Sequence, residues 1–520
     1  MMIQRILLSA AVMFLAACSE DDPTATATAT AASEPQVMLG NSLVTGVRES
    51  NGVEAFLGLP FAEPPVAELR WQKPIPWQAS GEAVDATRFA PACMQNGSGL
   101  AWYHGMMGRV GVDPELMEGP EYSEDCLYLN VWSDLDDAEA KPVLIFIHGG
   151  SNTGGWSYEP NYHGEVLARQ GVVVVTVAYR LGIFGWLSHP DLDVQNAGLH
   201  DLGVALDWVV KNIGVFGGDP SRITVSGESA GAANAMHLAL SPLSRGNVQT
   251  VIHQSAGWAM RYRPDRDEAF KRGQALAEKH TGSPSDIEAL RQTPAKDLMA
   301  SMTDVYQGHY FSPIVDDASL PESLFDAARG GSLPSVNLVI GSNDNESLMY
   351  IRDTTTLQSF MDSMFDSSAH AKVLEAVDGE ARDLDKIDRI STAVTYTCPS
   401  LLLADAIDES GGRSWVYRFN RVREGFEPIG AYHGAELPYV FDQHDDWLPT
   451  DDIDRKLTSD LVAHWLSFVK SEEPASSAAV TWPAWNDNRG TLLFGDAVES
   501  AEHPDVEFCR LLQESSAARS

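Results

Sequence analysis

A glycine-flanked serine follows a β-rich run near the middle of the chain. Ile223–Ser226 is mostly β-branched, the pentapeptide Gly227-Glu228-Ser229-Ala230-Gly231 comes next, and a run rich in alanine follows. A sharp strand-to-helix turn needs glycine where side chains would collide, and it lifts the serine hydroxyl above the sheet edge. The N-terminus of the helix offers N–H groups and positive potential to a developing oxyanion. This spacing predicts that Ser229 is the nucleophile of an acyl-transfer reaction.

Such a serine needs a base that takes its proton and an acid that orients the base. In this arrangement the acid follows the serine in the chain, and a histidine follows the acid. His433 lies in the glycine-flanked loop Gly430–Glu436, after the strand-like run Trp415–Phe419, which favours it as the base. The residues alone leave other histidines open: His370, His444, His464 (within a helical pattern, where a core or surface role is more common) and His503.

The candidate acids follow the strand-like run Val336–Ile340. Asp344 and Glu346 are both chemically suited, and a solvated loop is the alternative for each. The oxyanion donors are expected in His148–Ser151, directly after the apolar run Val143–Ile147. Paired glycines there let the backbone approach a substrate carbonyl without a Cβ in the way.

The elements that must position these residues alternate between strands and helices. Val143–Ile147 and Val172–Val177 are continuously apolar, which is typical of strands covered on both faces. Helical patterns such as Asp201–Val210 and Leu457–Val469 lie between the strand-like runs. The alternation predicts an α/β fold with a large, mostly parallel central sheet and helices on both faces. A helical cap is expected from about residue 260 to 390.

Composition narrows the range of partners. Lys and Arg number 36 against 73 Asp and Glu, a formal net charge of −37, which argues against nucleic-acid binding and against a basic patch docked on anionic lipid. The 44% hydrophobic content is enough for a large core. The sequence contains no evident metal-ligand cluster or phosphate-binding loop, so we expect no metal and no cofactor.

The N-terminus is typical of an export signal. The apolar stretch Ile6–Ala17 follows Arg5 and is shorter than the ~20 residues that span a bilayer. Leu15-Ala16-Ala17-Cys18 resembles the bacterial lipoprotein cleavage box, which implies lipidation of Cys18; a buried first helix is the alternative. We expect a signal peptide at 1–17, a Thr/Ala-rich tether at 18–36 and one domain at 37–520. The protein would then be exported and lipid-anchored on a bacterial membrane, facing the periplasm or the cell exterior, with no other membrane contact.

Four cysteines remain if Cys18 carries the lipid: Cys93, Cys126, Cys398 and Cys509. An even number is what an oxidising compartment favours. Three pairings are possible and the sequence does not choose among them, while free buried thiols are the alternative.

The chain resembles the type-B carboxylesterases, a family of the α/β-hydrolase superfamily that includes the cholinesterases, from about Val44 to Leu512. Phe216–Gly231 matches the nucleophile signature of the family throughout. Glu124–Trp132 resembles its second signature, although Asp134 departs from the residue that usually closes it. The resemblance implies the α/β-hydrolase fold and a serine hydrolase that cleaves small-molecule carboxylic esters through an acyl-enzyme.

The same resemblance implies a role for each matching residue. Ser229 would be the nucleophile, Glu346 the acid and His433 the base. Further implied positions are the oxyanion donors Gly150, Ser151 and Ala230, the supporting Ser255, and the disulfides Cys93–Cys126 and Cys398–Cys509.

Two departures from the family pattern touch this site. Ser151 replaces the third glycine of the usual Gly-Gly-Gly, and Ser347 replaces the glycine that usually follows the acid. Backbone donation survives a serine, so activity is still expected. Trp258 and Tyr306–Phe311 are candidates for the acyl pocket, with a core role as the alternative. A non-enzymatic binding module and a serine enzyme that acts on amides or lactones are the rival functions.

Overall fold

The computed structural model describes residues 34–137, 139–262, 265–352, 354–474 and 480–516. The predicted signal peptide, Cys18 and nearly all of the predicted tether lie outside the described residues. The described residues from Pro35 onward form one compact unit.

The strands of the described residues are β1 Gln36–Leu39, β2 Ser42–Thr45, β3 Val47–Arg48, β4 Glu54–Pro60, β5 Val84–Asp85, β6 Ala92–Cys93, β7 Tyr122–Ser123, β8 Tyr128–Ser133, β9 Lys141–Ile147, β10 Val173–Val177, β11 Gly218–Glu228, β12 Thr250–Gln254, β13 Asn337–Asn343, β14 Arg413–Phe419, β15 Gly490–Phe494 and β16 Val498–Glu502. The helices are α1 Ser98–Arg109, α2 Glu165–Ala168, α3 Gly182–Trp186, α4 Ala197–Asn212, α5 Ala230–Leu240, α6 Arg266–Thr281, α7 Ile287–Arg291, α8 Ala295–Ala300, α9 Leu324–Gly330, α10 Leu357–Met364, α11 Ser367–Glu375, α12 Asp383–Thr392, α13 Cys398–Glu409, α14 Leu437–Val440, α15 Asp452–Ser471 and α16 Val506–Ser516.

An eleven-stranded sheet forms the centre of the fold, in the order β16-β15-β14-β13-β12-β11-β9-β10-β8-β4-β3. All neighbouring pairs from β15 to β10 are parallel. The pairs at the two edges are antiparallel. The predicted large, mostly parallel sheet is therefore confirmed.

The sheet separates two hydrophobic cores because successive side chains of a strand point to opposite faces. In β9, Val143 and Ile145 belong to one core, and Leu144 and Phe146 to the other. Helices α4 and α5 contribute to the first core and α15 to the second. Helices thus cover both faces, which explains why β9 and β10 are buried at every residue.

The expected cap from residue 260 to 390 is helical but not continuous. Helices α6 to α9 precede β13, and α10 to α12 follow it. Strand β13 pairs with β12 and β14 inside the central sheet. The apolar run that predicted this strand therefore divides the helical region into two groups.

Helices α12 and α13 join through a π-helical turn, Ala393–Thr397, into one long helix, Asp383–Glu409. Among the described residues this is the one helix long and apolar enough to cross a membrane, with a mean hydropathy of 1.2. Its apolar window is 61% buried inside the protein, as expected of a core helix, so it is a weak indication of a span.

Both disulfides implied by the family resemblance are present. Cys93 pairs with Cys126, and Cys398 with Cys509. In the chain-entropy view, closing loops of this length stabilises the fold by roughly 3–5 kcal/mol each.

Candidate active site

Ser229 lies at the turn between a central strand and a helix. Strand β11 ends at Glu228 and α5 begins at Ala230, as the sequence predicts. Ser229 has φ 54° and ψ −125°, a conformation that non-glycine residues rarely adopt, and its N–H donates to the Gln254 carbonyl at 2.8 Å. Backbone strain of this kind is common at functional positions. The turn places Ser229 at the carboxyl end of the parallel strands, where ligands bind in α/β folds.

The two glycines around Ser229 are required by close packing. A Cβ at Gly227 would lie 2.4 Å from the carbonyl carbon of Gly231. A Cβ at Gly231 would lie 1.9 Å from the carbonyl oxygen of Ile147. The start of α5 therefore sits directly against the turn and the end of β9, which brings it to the loop expected to donate to the oxyanion.

Glu346 and His433 meet through two paired loops. Glu346 follows β13 and is fully buried, and its Oε2 lies 2.5 Å from His433 Nδ1. Its Oε1 accepts the N–H of Asn343 at 2.7 Å. The N–H of Asn345 donates to the Ala431 carbonyl at 3.0 Å, which fixes one loop against the other. The carboxylate is thus held at both oxygens and aimed at the imidazole.

The alternative acid and the alternative bases lie elsewhere. Asp344 pairs with Arg418. The other histidines contact groups outside this pair: His370 lies at the Phe365 carbonyl, His444 at Arg423 and Thr458, His503 at the Asp505 N–H, and His464 among aromatic rings in the core. Of the candidates that the residues alone left open, Glu346 and His433 are the carboxylate and the imidazole that lie against each other.

Ser229 and His433 line one cavity of about 790 Å³. In the part of the chain that the structure describes, no hydrogen bond joins Ser229 Oγ to the imidazole; His433 Nε2 instead lies 3.2 Å from Glu228 Oε1. Contacts of this kind are often loose in a free enzyme and tighten when substrate binds. The Trp and Tyr side chains in the cavity wall are Trp102, Tyr162, Trp258, Tyr262, Tyr310, Tyr350 and Tyr396.

Two of the three predicted oxyanion donors line the same cavity, and the third begins the adjacent helix. Gly150 and Ser151 line the cavity, with φ 90° and 56°, and Ala230 begins α5. Within the described residues, none of these three N–H groups has a hydrogen-bond partner. Ser151 adopts a left-handed conformation that glycine would adopt freely, so the backbone geometry survives the departure from Gly-Gly-Gly.

The two other serines near the acid behave differently. Ser255 is buried with φ 56°, but its Oγ has no hydrogen-bond partner among the described residues, so its predicted support of Glu346 rests on no hydrogen bond. The Ser347 N–H donates to Asp388 and to Thr392 Oγ1, both at 3.2 Å. Ser347 is thereby tied to the long helix beside the acid.

Glu228 lies against the imidazole of His433, although no pattern in the sequence singled it out. Burial raises the pKa of the Glu228 carboxyl to about 8. Burial also disfavours the charged form of His433, but the Glu228 and Glu346 carboxylates outweigh it and raise the pKa of His433 to about 9. The signal in the sequence that could have identified Glu228 is its position directly before Ser229, the candidate nucleophile.

We expect Glu228→Gln to shift the acid limb of the kcat/KM–pH profile to lower pH. A base must be neutral, so wild-type kcat/KM rises with pH toward about 9, where the imidazolium of His433 loses its proton. Removing one carboxylate destabilises the imidazolium, and the midpoint should fall by about 1 pH unit or more. A pH-stat assay with an alkyl ester measures this profile.

Glu159→Gln is the matched control for this shift. Glu159 is another carboxyl in the cavity wall whose pKa burial raises, to about 7, but it accepts from Tyr103 and does not contact His433. Glu159→Gln should therefore leave the midpoint of the kcat/KM–pH profile near the wild-type value. An unchanged or higher midpoint in Glu228→Gln would contradict the stabilisation of the His433 imidazolium by the Glu228 carboxylate.

The chain is similar to known esterases in sequence and in structure. A sequence profile of the carboxylesterase family matches residues 33–507. Para-nitrobenzyl esterase of Bacillus subtilis (strain 168) is 31% identical over 489 residues, which cover 89% of this chain and 95% of that protein. Fumonisin B1 esterase of Sphingopyxis macrogoltabida is 32% identical over 498 residues, covering 89% and 87%. The structure of a Geobacillus stearothermophilus carboxylesterase superimposes with a TM-score of 0.79 at 28% identity, covering 92% of this chain and 99% of that one.

Proposed function

Because the chain belongs to the carboxylesterase family and is a carboxylic ester hydrolase of α/β-hydrolase fold, we propose that Ser229, His433 and Glu346 are its nucleophile, base and acid. One observation carries this assignment: a fully buried carboxylate 2.5 Å from His433 Nδ1 orients the imidazole in the cavity that Ser229 also lines.

In the proposed reaction, Ser229 Oγ attacks the ester carbonyl while His433 Nε2 takes its proton. The imidazolium then gives this proton to the departing alcohol, which leaves an acyl group on Ser229. Water, activated by the same imidazole, releases the acid and restores the serine. The first step requires Nε2 to exchange its contact with Glu228 for one with Ser229 Oγ when substrate fills the cavity.

The N–H groups of Gly150, Ser151 and Ala230 are proposed to bind the oxyanion of the tetrahedral intermediate. Gly150 and Ser151 lie in the cavity wall and Ala230 directly follows Ser229, and none of their N–H groups has a partner among the described residues, which supports this role. Each such donor contributes about 3 kcal/mol to transition-state stabilisation.

Parallel assays of a 4-nitrophenyl ester and the matched 4-nitroanilide test the proposal against its rivals. Rapid cleavage of the ester and little of the anilide is the expected result. A preference for the anilide would favour an amidase, and turnover of neither, with no organophosphate adduct on Ser229, would favour a binding module. A series of acyl-chain lengths would then define the pocket.

We also propose that the enzyme is exported and held on a bacterial membrane by lipid on Cys18. The short apolar stretch Ile6–Ala17 and the box that ends at Cys18 support this proposal. Acyl chains contribute about 0.8 kcal/mol per buried methylene, so two or more chains anchor a protein without a spanning helix.

Cys18→Ser is expected to abolish incorporation of labelled palmitate and to remove the esterase from the membrane fraction of a bacterial host. Thr26→Ala, in the predicted tether, is the control and should fractionate like the wild type. Unchanged labelling and fractionation of Cys18→Ser would refute the anchor.

A further inference from the structure

Arg261 places a positive charge in the wall of the substrate cavity. It follows the short 3-10 helix Gly257–Met260, and its side chain is exposed in the cavity wall. Of the described residues that line the cavity, Arg261 is the one lysine or arginine. In a chain with 73 acidic and 36 basic residues, a cation at this place is unexpected on composition alone.

The Arg261 guanidinium is held by a hydrogen bond and has no counter-ion in the part of the chain that the structure describes. Arg261 Nη1 donates to the Val394 carbonyl at 2.8 Å, in the π-helical turn that also places Tyr396 in the cavity. Among the described residues, no carboxylate lies within ion-pair distance of Arg261, and partial desolvation in the cavity wall lowers its pKa. An arginine remains protonated in proteins, so the cavity holds a positive charge with unused N–H donors.

The carboxyl groups of the cavity are not paired with Arg261. Glu228 and Glu159 also line the cavity. Burial raises the pKa of Glu228 to about 8 and that of Glu159 to about 7, which disfavours the charged form of each. Each already has a neighbour of its own: Glu228 faces His433, and Glu159 accepts from Tyr103.

Aromatic side chains flank Arg261 in the wall. The rings of Trp258 and Tyr310 lie 4.8 Å apart edge to face, and those of Tyr262 and Tyr310 lie 5.4 Å apart. The Tyr262 hydroxyl donates to the Tyr310 carbonyl at 3.2 Å, which stiffens this wall. The wall therefore combines an apolar surface, suited to a hydrocarbon chain, with one fixed guanidinium.

We propose that Arg261 is a specificity-determining residue that binds a carboxylate on the substrate, so that the enzyme favours anionic esters such as monoesters of dicarboxylic acids. A guanidinium binds a carboxylate with paired, charge-assisted hydrogen bonds, which a neutral ester cannot form. This inference rests on the proposed ester hydrolysis and extends it to a substrate class.

Two matched substrate pairs test the proposal. Mono-4-nitrophenyl adipate and 4-nitrophenyl hexanoate differ in a carboxylate at the end of the acyl chain. 4-Acetoxybenzoate and 4-acetoxybenzamide differ in a carboxylate on the leaving group. Wild type, Arg261→Gln and Arg261→Lys are compared on both pairs, with Lys271→Gln, an exposed residue of α6 outside the cavity wall, as the control for net charge.

We expect Arg261→Gln to lower kcat/KM for the anionic member of at least one pair by about 10-fold or more, mainly through KM. Its kcat/KM for the neutral members should stay within about 2-fold of wild type. Arg261→Lys should restore part of the loss, and added salt should weaken the wild-type preference. Lys271→Gln should behave as wild type.

Two results would overturn the assignment. Equal losses for anionic and neutral esters in Arg261→Gln would mean that Arg261 only supports the cavity wall, through its hydrogen bond to the Val394 carbonyl. No loss for any ester would mean that it does not contact substrate. Failure of the wild type on all four esters would instead refute the proposed hydrolysis, so the two proposals can be distinguished.

Discussion

Ser229→Ala is expected to lower kcat/KM for a 4-nitrophenyl ester by about 10⁴-fold or more. The change removes only the hydroxyl that forms the acyl-enzyme. Alanine retains the Cβ that serine already carries at φ 54°, so the turn between β11 and α5 acquires no new contact. The melting temperature and circular dichroism spectrum should therefore match those of the wild type.

Ser221→Ala is the matched control for this substitution. Ser221 lies near the start of β11, is exposed and bonds to Asp219, away from the cavity. It should retain wild-type turnover and should gain an organophosphate adduct, detected by mass spectrometry, whereas Ser229→Ala should not. Substantial turnover by a folded Ser229→Ala protein would exclude Ser229 as the nucleophile.

Glu346→Gln is expected to lower kcat by roughly 10³- to 10⁴-fold, because it reverses the proton pattern of the imidazole. The Asn343 N–H donates to Oε1, so the glutamine carbonyl oxygen must take that position. The glutamine NH₂ group then faces His433 Nδ1, where Oε2 now lies. The imidazole would accept at Nδ1 and carry its proton on Nε2, the nitrogen that must receive the serine proton.

Two further variants distinguish this effect from a loss of stability. Glu346→Asp keeps the charge on a shorter side chain and should recover part of the activity. Asp344→Asn changes the neighbouring carboxylate, which pairs with Arg418, and should cost far less activity than Glu346→Gln at a comparable melting temperature. The opposite order would make Asp344 the acid.

Short-range patterns predicted the nucleophile turn and the strands that support it. The run Ile223–Ser226 and the glycines around Ser229 fix a strand, a turn and a helix from neighbouring residues alone. The continuous apolar character of β9 and β10 follows from burial on both faces of the sheet, which a sequence displays directly.

Contacts between distant segments could not be read in the same way. Glu346 was preferred over Asp344, and the disulfides were paired, only through the family resemblance. The contact of His433 with Glu228 depends on how the loop after β14 folds over the end of β11. The cavity position of Arg261 depends on the π-helical turn that holds it.

Packing, rather than residue type, decides which of the candidate acyl-pocket residues line the cavity. Trp258 and Tyr310 line the cavity, whereas Tyr306 and Phe311 are buried in the core. Neighbouring aromatic residues of one short segment therefore lie in two different environments, which composition could not separate.

The disulfide Cys398–Cys509 closes a covalent ring of chain that contains His433. Hydrolysis of any single peptide bond inside that ring opens it without releasing a fragment, so the histidine stays attached to the portion that bears the serine. A single cleavage by a protease within that ring would therefore leave the reacting groups in one covalently joined molecule.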